Sequence, residues 1–220
     1  MRSDLAQAPA QRQPEKAGPS LARIFEGTLT ALARQGARQL SMTDICEISG
    51  ISRATLYRYF AKKEDLLAAL AEHVTSNFVA GVKEAAEQQR EPPEKFRAVL
   101  RFMAAYSTQV RADRILEVEP LFVIDSLHAQ FPRHLAAVSE ALDPVFDAFE
   151  KRLGRPLDRN LISELLLRSQ ESTSLIPAGD RWNRLPDTMA DLAMLLLGEF
   201  ASGKPRAKQR SKRNDRAARR

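Results

Sequence analysis

The sequence predicts an all-α protein, with a small N-terminal three-helix unit that contains a helix-turn-helix and a larger helical body behind it. Three observations carry this. Apolar residues recur at three- and four-residue spacing along the chain as far as Phe200, and no stretch alternates as a half-buried strand does. Residues 41–63, SMTDICEISGISRATLYRYFAKK, hold two short helical patterns, each preceded by serine and parted at Gly50. Charge is also unevenly placed within the net +6: residues 1–63 carry ten Lys or Arg against five Asp or Glu, 64–203 carry fifteen against twenty-two, and 204–220 carry nine against one. The positive ends suit a polyanion, and the acidic middle does not.

Residues 1–19 are rich in Gln, Pro and Ala and poor in large apolar groups, which predicts a disordered arm. A first helix follows over 20–35. Leu21, Ile24, Phe25, Leu29 and Leu32 form its apolar stripe, and Gly36 ends it. Ser41 caps the next helix, with Asp44 in the first turn where negative charge is favoured. Gly50 supplies the break, since positive φ is cheapest at glycine. Ile51 plugs the space between the helices, and Ser52 caps a helix from Arg53 to about Phe60. Leu56 and Phe60, four apart, share its inner face. Its other sides carry Arg53, Ala54, Thr55, Tyr57 and Arg58: small, hydroxyl, aromatic and cationic groups. A helix built so can enter a DNA major groove, or it can be the solvated face of an ordinary helical bundle.

A long helix runs from about 64 to 89, with Glu64 and Asp65 in its first turn and a stripe through Leu66, Leu70, Val74, Phe78 and Val82. Helices over 93–111, 113–128, 132–152, 158–174 and 185–201 follow. Breaks are expected near Arg111, Phe131–Pro132, Gly154 and 176–180. Pro120 and Pro144 lie inside periodic stretches, so each should start or kink a helix, and Glu119–Pro120 is a place where 113–128 splits. The tail after 202 has almost no apolar content and should be disordered; it either anchors nucleic acid or solubilises the chain.

Enzyme chemistry finds little support. The chain has no glycine-rich phosphate loop, G-x-S-x-G, H-E-x-x-H or paired-cysteine motif. His128 and His134 with Asp125 match no strong ligand spacing, so no metal and no cofactor are expected. The single cysteine, Cys46, rules out an internal disulfide framework and reads as buried packing, with a redox role the alternative. No apolar run approaches a membrane span, and residues 1–20 lack a signal-peptide core, which points to the cytoplasm.

Residues 21–67 closely resemble the DNA-binding domain of the TetR family of bacterial regulators. The resemblance rests on a first helix ending at Gly36, on D-I-x-x-x-x-G-I-S at Asp44 to Ser52, and on T-L-Y-x-Y-F at Thr55 to Phe60. Lys63–Glu64 and Leu66–Leu67 complete it. It implies a DNA-binding domain over 20–63, between the arm 1–19 and a ligand-binding and dimerisation domain over 64–202, with the tail 203–220 beyond. It implies that Ser41, Thr43 and Lys63 reach phosphate and that Arg53, Ala54, Thr55, Tyr57 and Arg58 face the bases. Arginine can grip guanine O6 and N7 together, so Arg53 and Arg58 are the candidates for guanine contact.

The partners so implied are a double-stranded palindromic operator, a second copy of the chain and a small hydrophobic or amphipathic effector. The function implied is a repressor released by that effector; an activator of the same family, or a helical interaction module without DNA, are the alternatives. Phe102, Met103, Tyr106, Phe122, Leu127 and Trp182 are candidate pocket residues, although an apolar stripe of this kind is as well explained as core. The helices 158–174 and 185–201, with wide leucine faces, are the candidate dimer seam.

Overall fold

The computed structural model describes residues 18–176 and 184–196. The expectations for 1–17, Trp182 and 197–220 lie outside them, as do those for the side chains of Leu195 and Leu196. Among these residues the chain is helical with short joints, as predicted. The helices are α1 (Pro19–Gln39), α2 (Met42–Ser49), α3 (Arg53–Tyr59), α4 (Lys63–Glu87), α5 (Pro92–Gln109), α6 (Ala112–Val118), α7 (Pro120–Leu153), α8 (Arg159–Leu175) and α9 (Leu185–Leu196).

Two hydrophobic cores organise them. The head core joins Ile24, Phe25 and Leu32 of α1 to Ile45, Ile51 and Leu56 around the turn, and continues into Leu66 and Leu70 of α4. Ile115 of α6 and Val123 of α7 close it, so the head is backed by three helices of the body. The body core is built on Phe78 and Val82 of α4, Val99 and Met103 of α5, Val138, Leu142 and Phe146 of α7, and Leu167 of α8. Val74 packs against both. A seven-residue helix such as α3 is unstable alone. Full burial of Leu56, at about 1.5–3 kcal/mol for a side chain of this size, ties it to the head core.

Two breaks differ from the sequence expectation. No break occurs at Phe131–Pro132: α7 runs unbroken for 34 residues through both Pro132 and Pro144. Both prolines lie on the exposed side, as do His128 and Glu140, whose carbonyls lose their helical donors. Water can satisfy those carbonyls, so the helix continues rather than stops. Pro120 does start a helix, at N1, where its missing N–H costs nothing. In α1, helical geometry breaks at Gly36 (φ 74°), as expected, but a further turn continues to Gln39.

Specific polar contacts lock the joints. Arg133 grips both oxygens of Glu72, tying α7 to α4 at 2.5 and 3.0 Å. Arg159 at the start of α8 reaches Glu150 and Asp147 of α7 at 2.5 and 2.7 Å. That arginine, together with the Leu157 N–H, holds the Glu150 carboxyl down at about 2. Arg97 and Arg101 of α5 pair with Asp191 and Asp187 of α9. Tyr106 donates to the Val74 carbonyl at 2.5 Å, and its burial raises the phenol above its ordinary range. Gly81 of α4 lies directly against the Phe102 ring of α5, where a β-carbon would stand only 2.2 Å from it.

Candidate nucleic-acid interface and an internal cavity

The helix-turn-helix is set by its caps. The Ser41 side chain accepts from the Asp44 N–H at 3.2 Å, and Asp44 Oδ2 accepts from the Ser41 N–H at 3.0 Å, a reciprocal capping box. The Ser41 hydroxyl, then Gln35 at 2.9 Å, then the Ser41 N–H hold the Asp44 carboxyl below its ordinary pKa. Gly50 takes the left-handed conformation at φ 63° and ends α2. Arg23 of α1 then donates to the carbonyls of Ser49 and Gly50, at 2.9 and 3.0 Å, covering the last turn of α2. Ser52 caps α3 by accepting from the Thr55 N–H.

These devices aim α3 outward. Leu56 is fully buried, while Arg53, Ala54, Tyr57, Arg58 and Tyr59 are exposed, Tyr57 by 53%. Arg53 Nη2 donates to the Thr43 hydroxyl at 3.2 Å, so the first residue of α3 and the start of α2 share one surface. The Arg58 guanidinium lies 5.5 Å from the centre of the Tyr59 ring. Ser41 is exposed on the same motif. Two of the expected contact residues are engaged internally: the Thr55 hydroxyl is 2.9 Å from that of Ser52, and Lys63 Nζ donates to the Ala37 carbonyl at 2.9 Å. Cys46 is buried in the head core, and burial raises its thiol pKa, an inert rather than a reactive setting.

Sequence reasoning missed three supports of this surface. Arg23 and Gln35 act through contacts 26 and 9 residues away, which no local rule signals. Gly27, in mid-helix, allows α1 to touch α2: a β-carbon there would be 2.6 Å from that of Ser49. A glycine inside an otherwise strong helical stripe was the available signal.

Residues 24–70 match the family described as bacterial regulatory proteins, tetR family. Over its head the chain is similar to that family. Among its relatives is an uncharacterized HTH-type transcriptional regulator of Haemophilus influenzae, 32% identical over 75 residues. That match covers 34% of this chain and 40% of the relative's length, so the chain spans well under half of that relative. In fold the likeness is longer. The fatty acid degradation regulator FadR from Bacillus halodurans superposes with a TM-score of 0.60 at 18% identity, over 83% of this chain and 96% of that one. FadR from Bacillus subtilis, solved in complex with stearoyl-CoA, does so with 0.53 at 16%, over 83% and 98%.

The candidate pocket residues fall into two places. Met103 and Tyr106 are buried in the body core with Phe102 packed on them. Phe122 and Leu127 instead line a cavity of about 100 Å³ beneath the head, walled by Leu29 and Leu32 of α1, Leu70 of α4 and Ile115 of α6. Of the residues weighed as a metal set, His134 is buried with its ring centre 4.0 Å from that of Phe78, the planes tilted by 31°, and His128 is exposed. Among the described residues no cluster of three metal-binding side chains occurs, and no helix is long and apolar enough to cross a membrane.

Proposed function

We propose that this chain is a DNA-binding transcriptional regulator that acts as a homodimer and is released from a palindromic operator by a small hydrophobic or amphipathic effector. The observation that carries the reading is α3: one face is fixed in the head core through Leu56, and the other presents Arg53, Ala54, Tyr57 and Arg58 to solvent. Such a helix enters the major groove with its cationic and aromatic groups on base edges. Residues 20–63 form the DNA-binding domain in this reading, and 64–202 the ligand-binding and dimerisation domain. Ser41 and Thr43 meet phosphate at the start of α2. Thr55 and Lys63 exchange or share their internal hydrogen bonds on meeting DNA.

Dimerisation is supported by leucines that lie bare on the last helices, Leu161 at 51%, Leu165 at 56% and Leu192 at 55% exposure. A two-fold pair would set two copies of α3 about 34–36 Å apart, one turn of DNA. The effector reading is supported by the shared fold with a regulator solved with stearoyl-CoA. Release requires that the effector bind the arrangement that does not fit DNA more tightly than the one that does.

The test is a mobility-shift titration on the DNA flanking the chain's own gene, across a salt series. A dimer-stoichiometry complex on a palindrome that survives physiological salt is expected. Weak binding to every fragment, lost by that salt, would leave only a basic helical protein.

A further inference from the structure

The cavity under the head does not stand alone. Ala71, Phe122, Ser126 and Gln130 line it and also line a groove between α4 and α7, so the two spaces adjoin. The inner space is walled by aliphatic side chains and Phe122, with Ser126 and Gln130, four residues apart on one face of α7, at the boundary. The outer space has an apolar floor with charged side chains set on it. It carries Glu72, Asp125 and Arg133, of which Arg133 is already gripped by both Glu72 oxygens. The groove's formal charge is therefore negative by one, and its free-standing carboxylate side is Asp125, exposed at the rim.

We propose that cavity and groove together are a binding site for a small amphipathic amine: a short alkyl or aryl group entering the cavity, an ammonium remaining in the groove near Asp125. The inner hole is about two thirds of the roughly 150 Å³ engineered cavity that admits benzene, which suits the tip of an apolar group rather than a whole large one. The boundary hydroxyl and amide are neutral and accept or donate to a passing polar group. An anion would meet Asp125 and would have to displace Glu72 from Arg133, so the site selects by charge. Its position matters because Leu29 and Leu32 are also head-core residues of α1: an occupant touches the helix that backs α2 and α3. That any occupant alters operator affinity rests on the regulator reading above; that the site binds does not.

The experiment uses the full chain and three probes with the same six-carbon tail: hexylamine, hexanol and hexanoate. Binding is followed by the methyl NMR shifts of Leu29 and Ile115. Hexylamine is expected to bind about tenfold more tightly than hexanoate at moderate salt, with hexanol between them. Asp125→Asn, at an exposed position, should remove several-fold of the amine's advantage and leave hexanol unchanged. Ala71→Phe, which fills the junction of the two spaces, should abolish binding of all three. Equal or tighter binding of hexanoate, no binding by any probe, or binding indifferent to both substitutions would overturn the proposal. If the probes bind as expected but operator affinity does not move, the site stands and the regulator reading is what fails.

Discussion

The backbone N–H of Arg38 donates to the Glu119 carboxylate at 3.0 Å, joining the end of α1 to the end of α6 across 81 positions of sequence. Gly36 makes room for it, since a β-carbon at Gly36 would meet the same carboxylate oxygen at 2.7 Å. At the other end of α6, Arg111 in the left-handed conformation pairs with Glu26 of α1 at 2.5 Å. A hydrogen bond to a charged group contributes about 1.5–3 kcal/mol. Glu119→Ala should therefore lower unfolding free energy by about that much in guanidinium titration. Glu119→Gln, which still accepts from the Arg38 N–H, should cost clearly less; equal losses would mean the backbone bond contributes nothing.

Gly27→Ala tests the α1–α2 contact. The new methyl group would press on Ser49's β-carbon at 2.6 Å and its Cα at 2.9 Å, so a backbone must give. Overpacking of this kind costs about 1–3 kcal/mol. Thermal unfolding should drop accordingly, although alanine is the better helix former on an open surface. A rise in melting temperature would show that the two helices separate freely.

Arg53→Ala removes a side chain that projects from the first turn of α3 and donates to Thr43. If Arg53 reads a base, affinity falls by about 1–3 kcal/mol and discrimination relaxes at a single operator position. Arg53→Lys should not restore it, because a lysine cannot make the paired contact. Quantitative binding across single-base operator variants decides the matter, and unchanged discrimination refutes the assignment.

His134 and Glu171 should make stability depend on pH in opposite directions. Burial, then the charge of Arg133, lowers His134 to about 4, so between 4 and 6.5 the unfolded chain holds the extra proton and stability rises with pH. Burial raises Glu171 to about 7, so between 4.5 and 7 the folded chain holds the extra proton and stability falls as pH rises. The two slopes oppose each other where the windows overlap. Glu171→Gln should expose a stability that climbs from pH 4 to 6.5, and His134→Phe one that declines from pH 4.5 to 7. Denaturant midpoints across that range measure both; parallel pH profiles for the two variants would contradict the assignment.

What was legible in the sequence is what nearest neighbours decide. The Ser41 cap, Asp44 in the first turn, Gly50, the Ser52 cap and the buried Leu56 each follow from residues within four positions, and the structure has them all. Pro132 misled because a proline's effect depends on which way its helix side faces, and periodicity around it left that open. The apolar stripe of 102–127 was correctly apolar. Composition could not divide Met103, in the body core, from Phe122, at the cavity. Contacts such as Arg23 to Gly50 depend on how whole helices cross, which no local pattern encodes.

The seat of Phe102 on Gly81 limits how α4 can move. Rolling α4 about its own axis would drive a neighbouring side chain into the ring, whereas swinging it end to end would not. The contact thus behaves as a fulcrum three quarters of the way along the helix. From Lys63 to Gly81 the arm is about 27 Å at 1.5 Å per residue, so a swing of roughly five degrees carries its head end by about 2 Å. In a two-fold assembly both arms swing at once, and a motion too small to disturb either core becomes a mismatch of several ångströms in the span between the two heads.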